Sequence, residues 1–455
     1  MGKRKERTMV LGRASVGRGF VAPRYSTSAR NFMRIVGGWY LRLLEGVRHI
    51  RIDNPDILID ALQRFYTGDL RLIIAFRHVA KEDAPVMMYA LNRRLQRLIR
   101  KRNRKLGRKG RIIGHAQFLY GSDVLDWAGK AAAWLFPRIG CVPVQNRGTN
   151  RNGLDILRTQ VQGGTFPIAL APESQVTYHM YQCSPIAPGT ASLALWGMQA
   201  AEDVLVVPVA IGYRHSDDPE RFIRSMLDRW SQLSGLALED RQATVLSLLH
   251  EATEKTVGLL EEMYGIMRDT EATLRRRILD VCEVAMMEAE ALAHVEAQGN
   301  LLDRLFRIRY RGYDAVHPQA FDPKDLPPVG RSVADFHALE AHVYLRHSQL
   351  VDVLQYIDPA YIVAPCSTGR ACEYVLNLND VLNRIQGGNI NTRYSPREKR
   401  ALVSIGEPVA VSSVAGEGKH SRKAHLAALS DAVQTALQHT SVSMEERWER
   451  GKFDA

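Results

Sequence analysis

The chain has 455 residues, of which 45% are apolar and 24% charged, and its formal net charge is +12 at neutral pH. This length allows two or three domains with a substantial core, and the composition is that of a globular protein. The positive charge favours an anionic partner, such as nucleic acid, an anionic membrane surface, or a phosphorylated or acidic substrate or carrier.

Cysteine usage and hydropathy narrow the class of protein further. The five cysteines are scattered and form no CxxC pair, which argues against a disulfide framework or a zinc site and for a reducing compartment. No apolar stretch reaches the roughly 20 residues that a membrane-spanning helix needs. The basic N-terminus lacks the apolar centre of a secretory signal. We therefore expect a cytoplasmic protein.

The first 66 residues read as a basic tail followed by an amphipathic helix. Residues 1–30 are rich in Arg, Gly and Ser, a composition typical of disorder. Apolar residues then follow helical spacing at Phe32, Ile35, Val36, Trp39, Tyr40, Leu43, Leu44 and Val47. Basic residues occupy the opposite face, so the helix could lie in a membrane interface. The alternative is a surface helix that packs on its own core.

Residues 67–217 alternate between short apolar runs and helical patterns. Strands are predicted at 71–76, 112–120, 141–144, 166–171 and 204–213, with helices at 84–106, 122–136, 149–162 and 189–202. This alternation predicts an α/β fold, with a mostly parallel sheet flanked by helices. Residues 218–398 are strongly helical, and 399–455 provide a last strand, at 401–413, and a C-terminal helix. If that strand joins the sheet, the helical block is a large insertion into the α/β layer.

A histidine and an acid, His78 and Asp83, follow the first predicted strand. His78 would lie at the carboxyl edge of the sheet, where α/β proteins tend to bind ligands. Asp83 stands at a predicted helix start, with Pro85 in the first turn. The turn between them could fold the carboxylate back onto the imidazole, which would fix its tautomer and leave a base near neutral pH. The alternative is a helix-capping Asp83 beside a merely polar His78.

Three later blocks follow in a recognisable order. Residues 140–147 read GCVPVQNR and end on Arg147, residues 166–177 contain Pro172-Glu173-Ser174, and the strand at 204–213 carries Pro208. Together with His78 and Asp83, these blocks resemble the phospholipid and glycerol acyltransferase family, which includes lysophosphatidate and glycerol-3-phosphate acyltransferases. The segment SIGEPVAV at 404–411 is similar to a strand that follows these blocks. The resemblance covers about 190 residues, and its order is more specific than any single block.

The resemblance implies a glycerolipid acyltransferase-like fold and a mechanism. His78 would take the proton of an acceptor hydroxyl, which would attack the thioester of acyl-CoA or acyl carrier protein, while Asp83 orients His78. Arg147, Glu173, Ser174 and Pro208 would form the acceptor-binding part of the site. No metal or organic cofactor is implied. The expected acceptor is 1-acyl-glycerol-3-phosphate, giving phosphatidate, and the expected location is peripheral, on the inner face of the membrane.

Departures from the family pattern keep other functions open. Arg77 and Ala80 stand where the first block usually has Asn and Ser, and Val176 falls where the third block has Arg. Loss of that arginine favours the alternative of a non-phosphate lipid acceptor. A second alternative is a non-enzymatic scaffold with a decayed site that binds membranes or RNA.

A basic run bears on the choice of partner. Residues 93–111 contain eleven Lys or Arg in nineteen positions, which would suit anionic lipid, acyl carrier protein, CoA phosphates or RNA, unless the run is simply a solvated helix face. RNA is not the expected partner, because the run has no interleaved aromatic residues to stack on bases. The apolar stripes of the helical insertion are most simply helix–helix core, with an oligomer surface as a further option.

Overall fold

The structure is a computed structural model that describes residues 12–17, 20–107, 112–121, 124–144, 151–415 and 421–451. Eight strands are present in these ranges: β1 (Val47–Asp53), β2 (Arg71–Phe76), β3 (Gln117–Gly121), β4 (Val142–Val144), β5 (Ile168–Leu170), β6 (Val204–Arg214), β7 (Lys399–Ile405) and β8 (Val409–Ala410). The helices are α1 (Thr27–Leu43), α2 (Pro55–Thr67), α3 (Asp83–Tyr89), α4 (Gln96–Lys105), α5 (Val124–Trp127), α6 (Gly129–Arg138), α7 (Arg151–Gly163), α8 (Gly189–Gly197), α9 (Pro219–Ser234), α10 (Val245–Met263), α11 (Leu274–Ala293), α12 (Leu301–Val316), α13 (Pro328–Leu354), α14 (Thr368–Ile385), α15 (Val411–Ala415) and α16 (Arg422–Glu449). A π-helical turn, Ala90–Leu95, joins α3 to α4.

All eight strands belong to one sheet, in the order β1-β7-β6-β2-β5-β3-β4, with β8 beside β6. Every pairing is parallel except those that β6 makes with β7 and β8. The prediction of an α/β fold with a mostly parallel sheet is therefore confirmed. The predicted late strand does join this sheet, as β7 and β8, after the helices α9 to α14.

The central strands β2 and β6 are buried on both faces. Ile73, Ile74 and Ala75 of β2 are fully inaccessible to solvent. Alternate residues of β2 contribute to two apolar clusters, one on each side of the sheet. Burial on both faces explains why these strands are continuous apolar runs rather than alternating ones.

Pro208 lies inside β6, where a missing N–H would normally break a ladder. On one edge, β6 pairs with β8 up to Val206 and with β7 from Val209 onward. Pro208 therefore falls where β6 changes partners, and its carbonyl still accepts a hydrogen bond from the Gly406 N–H at 2.9 Å. The proline is compatible with a central strand because no antiparallel partner pairs with it there.

The N-terminal region differs from its expectation, whereas the expectation for membrane crossing agrees with the structure. The region 1–66, predicted as tail and helix, also contains β1, which pairs in parallel with β7, so it contributes an edge strand to the sheet. Among the described residues, no helix combines the length and apolarity required to cross a bilayer.

Candidate active site

The turn after β2 brings His78 and Asp83 together. Asp83 is the first residue of α3, and its side chain folds back over the turn instead of capping the helix. Its Oδ2 accepts hydrogen bonds from the backbone N–H groups of Val79, at 2.6 Å, and Ala80, at 2.7 Å. Short side chains such as Asp favour this local bonding to a nearby backbone. The turn therefore fixes the carboxylate independently of the imidazole.

The imidazole of His78 is held by the same oxygen. Its Nδ1 lies 3.2 Å from Asp83 Oδ2, and the His78 side chain is 25% exposed whereas that of Asp83 is fully buried. A carboxylate can only accept, so Nδ1 carries the proton and Nε2 is the unprotonated nitrogen of the neutral ring. Within the described part of the chain, Nε2 has no protein hydrogen-bond partner. His78 thus has the tautomer that a general base requires.

The other oxygen of Asp83 is bound by Tyr213, at the end of β6. The Tyr213 hydroxyl donates to Oδ1 at 2.5 Å. Burial, and then the nearby Asp83, raise the pKa of Tyr213 well above its usual value, so the phenol stays a donor. Burial raises the pKa of Asp83, whereas its hydrogen bonds with His78 and Tyr213 act in the opposite direction. Sequence reasoning missed Tyr213, because only the pairing of β6 with β2 brings it to this edge.

Beneath this pair lies a buried ion pair, Arg77 with Glu173. Arg77 Nε donates to Glu173 Oε1 at 3.0 Å, and both side chains are completely buried. The other carboxylate oxygen, Oε2, accepts from the backbone N–H of His78 at 3.1 Å. Arg77 also donates to the carbonyls of His179 and Gln182, each at 2.8 Å. The pair thus fixes the backbone at His78 and anchors the segment after β5.

The other predicted site residues differ in how close they lie to His78 and in whether the structure describes them. Glu173 directly underlies His78, but its carboxylate is engaged by Arg77 and by backbone groups, so any part in acceptor binding would act through the segment it anchors. Ser174 is exposed and has a left-handed backbone, with φ of 61°. Pro208 is buried in β6, where it pairs in register with Ala75 of β2. Arg147 lies outside the described residues.

A pocket adjoins the turn that holds His78 and Asp83. Its walls include Val79 and Ala80 of the turn, Tyr213, and Arg393 and Lys399 from the segment before β7. It holds about 550 Å³ of empty space, part of which is open solvent. His78 does not line this pocket. The pocket lies beside the groups that hold the His78–Asp83 pair in place. Among the described residues, no group of three or more His, Cys, Asp or Glu side chains is placed to hold a metal ion.

Comparison of the chain with known family models and with curated proteins gives no match.

Proposed function

We propose that the protein is an O-acyltransferase that moves a fatty acyl group from acyl-CoA or acyl carrier protein to a lipid hydroxyl. The observation that carries this proposal is the pairing of His78 Nδ1 with the buried Asp83, which leaves Nε2 available at a partly exposed position. The order of the sequence blocks around this pair, with its resemblance to the phospholipid and glycerol acyltransferase family, supports the reaction class. A glycerolipid acyltransferase-like fold is part of the same proposal.

The reaction needs only proton transfer and a positioned thioester. His78 Nε2 would take the proton of the acceptor hydroxyl as the oxygen attacks the thioester carbonyl carbon. The resulting tetrahedral intermediate would expel the thiolate, which takes the proton back from the imidazolium. The products are an ester and a free thiol. Asp83 would stabilise the imidazolium, and its own bonds to Val79, Ala80 and Tyr213 keep it in place.

The unusual residues of the first block fit this proposal. Arg77 stands where the family usually has Asn, and in this structure it is a buried partner of Glu173 rather than a substrate contact. Ala80 contributes its backbone N–H to Asp83, which requires no side chain. Neither departure removes a group that the proposed proton transfer uses.

We take the acceptor to be a lysophosphatidate-type lipid at a membrane surface, with phosphatidate as product. The outer face of α1 supports a membrane location, because Phe32, Ile35, Trp39, Leu43 and Leu44 are each more than half exposed. An exposed apolar face of this size on a helix with basic residues is typical of a helix that lies in the membrane interface. A peripheral position on the inner face of the membrane is part of the same proposal.

The test is an acyl-transfer assay with purified full-length protein. Labelled acyl-CoA and acyl carrier protein are each offered with lysophosphatidate, glycerol 3-phosphate and neutral acceptors such as monoacylglycerol, using wild type, His78→Ala and Asp83→Asn. Transfer to lysophosphatidate that depends on His78 is the expected result. Transfer to neutral acceptors alone would replace the phosphate-bearing acceptor with an uncharged one. No transfer by the wild type to any acceptor would favour a membrane- or RNA-binding scaffold.

A further inference from the structure

Helix α1 packs antiparallel against the helical segment that begins with α3. Gly38 of α1 lies against the Tyr89 ring of α3, so close that a Cβ there would be 3.0 Å from the hydroxyl. Just beyond the end of α1, Glu45 pairs with Lys81 at 3.2 Å. As residue numbers rise along α1, those of its partners fall.

This register brings four arginines together. Arg34 lies about one turn before Gly38 on α1, and Arg93 lies in the π-helical turn that follows Tyr89, so the antiparallel register places the two arginines at a similar level of the helix pair. Arg30 lies about one turn before Arg34 on α1, and Arg100 lies on α4, after Arg93. Burial first, then Arg100, Arg30 and Arg93, lower the pKa of Arg34, as expected where like charges are close together. We call Arg30, Arg34, Arg93 and Arg100 the arginine cluster.

The cluster has no carboxylate partner among the residues that the structure describes. None of its four members forms an ion pair with a carboxylate in the described ranges, in contrast to Arg102 on the same helix, which pairs with Asp60 at 2.7 Å. Arg30 is only 9% exposed, and its Nε is buried without a hydrogen-bond partner, as is the Nε of Arg34. Burying unpaired guanidinium donors is costly, which indicates that an anion completes this site.

The surroundings of the cluster identify the source of that anion. The exposed apolar face of α1, which includes Phe32, Ile35 and Trp39, begins on the same helix as Arg30 and Arg34. Guanidinium groups bind phosphate oxygens in a fixed, bidentate geometry. A phosphate that is presented beside an apolar phase is the headgroup of a membrane phospholipid. Free phosphate would use the arginines but would leave the apolar face uncovered.

We propose that the arginine cluster binds the headgroup phosphate of an anionic membrane phospholipid while the apolar face of α1 enters the interface. The site is separate from His78 and takes no part in acyl transfer, so the proposal rests on the membrane location in the proposed function but not on the acyl transfer. The proposal is of a defined phosphate site formed by these four arginines, which differs from a general attraction between a basic protein and an anionic surface.

The experiment is vesicle co-sedimentation with the full-length protein. Vesicles of phosphatidylcholine alone are compared with vesicles that also contain phosphatidate, for wild type, Arg34→Gln/Arg93→Gln and the charge-matched control Lys101→Gln/Lys105→Gln. Lys101 and Lys105 are exposed on α4 and are not among the residues that lower the pKa of Arg34. We expect the cluster variant to lose at least about 30-fold in affinity for phosphatidate vesicles, and the control to lose far less.

Equal losses in the two double variants would overturn the proposal, because they would indicate only general charge attraction. Unchanged binding in the cluster variant would overturn it as well. A third outcome would assign the site to free phosphate instead. In that case inorganic phosphate at constant ionic strength would raise the melting temperature of the wild type but not of the cluster variant, and the wild type would not bind vesicles.

Without lipid, the cluster variant should melt at the same or a higher temperature than the wild type, since like-charge repulsion is removed. If it fails to fold, Arg100→Gln, at an exposed position, repeats the test. Vesicle binding requires no catalysis, so this result is independent of the acyl-transfer assay.

Discussion

Asp83 organises the candidate site because its two oxygens have different partners. Oδ2 binds the imidazole of His78 and two backbone N–H groups, and Oδ1 binds the hydroxyl of Tyr213. All of these donors are fixed by the turn or by β6. A base held in this way loses little conformational freedom when substrate arrives, which is consistent with a catalytic rather than a purely structural histidine.

Replacing Tyr213 with Phe should reduce catalysis without reducing substrate binding. The change leaves Asp83 Oδ1 buried without a donor, and we expect it to lower the free energy of unfolding by about 1–3 kcal/mol. Because a hydrogen bond to the charged carboxylate is lost, the pKa of Asp83 rises and the acid limb of the kcat profile moves to higher pH. The measurements are urea denaturation and pH-dependent steady-state kinetics.

The matched control is Tyr66→Phe, which removes a hydroxyl that donates to the Ile113 carbonyl at 3.1 Å. It should affect stability to a similar degree while leaving kcat and its pH profile unchanged. Equal kinetic losses in the two variants would show that Tyr213 contributes only to folding.

The burial of His179 predicts that the stability of the protein depends on pH, and replacing this one residue tests the prediction. It is 5% exposed and stacks on Tyr361 at a centroid distance of 4.3 Å. Burial, with Arg77 nearby, lowers the pKa of His179 from 6.5 to about 4. Between pH 6.5 and about 4, the unfolded chain therefore binds a proton at this histidine that the folded chain does not. The contribution of the neutral His179 to stability is fully present above pH 6.5 and is lost as the pH falls towards 4.

His179→Phe keeps the ring stack and removes the titration. Its free energy of unfolding, relative to wild type, should increase by about 1.4 kcal/mol for each pH unit below the ordinary histidine pKa. Denaturant titrations at several pH values provide the measurement. A difference that stays constant with pH would mean that His179 is protonated in the folded protein.

Between elements, the Arg77–Glu173 pair joins the end of β2 to the segment after β5 and to α16. Arg77 Nη1 donates to the Ser441 hydroxyl of α16 at 2.9 Å. Helix α14 contacts the same segment, since the Asn377 side chain donates a hydrogen bond to the Tyr178 carbonyl at 3.0 Å. The position of His78 therefore depends on contacts among elements that are far apart in the chain.

Arg77→Ala should be strongly destabilising, because it leaves the Glu173 carboxylate buried without its ion-pair partner. We expect a loss of about 3–5 kcal/mol in the free energy of unfolding. The control is Arg48→Ala, which breaks the ion pair between Arg48 and Glu398, whose side chains are 46% and 73% exposed, and should cost less than about 1 kcal/mol. Similar losses in the two variants, measured by urea denaturation, would contradict the role assigned to the buried pair.

At the scale of the whole molecule, helix α1 joins the turn that holds His78 and Asp83 to the proposed lipid site. The end of α1 reaches the turn through Glu45 and Lys81, and the arginine cluster lies further along the same helix pair. Membrane binding through α1 would thus bring the partly exposed His78 near the surface where both acyl chain and acceptor are found. The helices α9 to α14 support this arrangement through α14, which is among the most buried helices described.

Much of the α/β layer could be predicted from local patterns. The runs at 71–76 and 204–213 are strands because burial on both faces makes them continuously apolar. Strand β1 was missed because it lies at the sheet edge and carries charged residues, so its sequence lacks a clear apolar pattern. The His78–Asp83 contact could be expected because it closes a five-residue turn. Tyr213, 130 residues further on, and the pairing of Arg77 with Glu173 could not, since both depend on strand order.

The most direct test of the account is the single-turnover rate of acyl transfer from labelled acyl-CoA to lysophosphatidate in wild type, His78→Ala and His337→Ala. His337 is exposed on α13 and serves as a control for loss of an imidazole. The account predicts that His78→Ala slows transfer by about 10²–10⁴-fold, while His337→Ala leaves the rate unchanged. A rate in His78→Ala equal to that of the wild type would contradict the assignment of His78 as the general base.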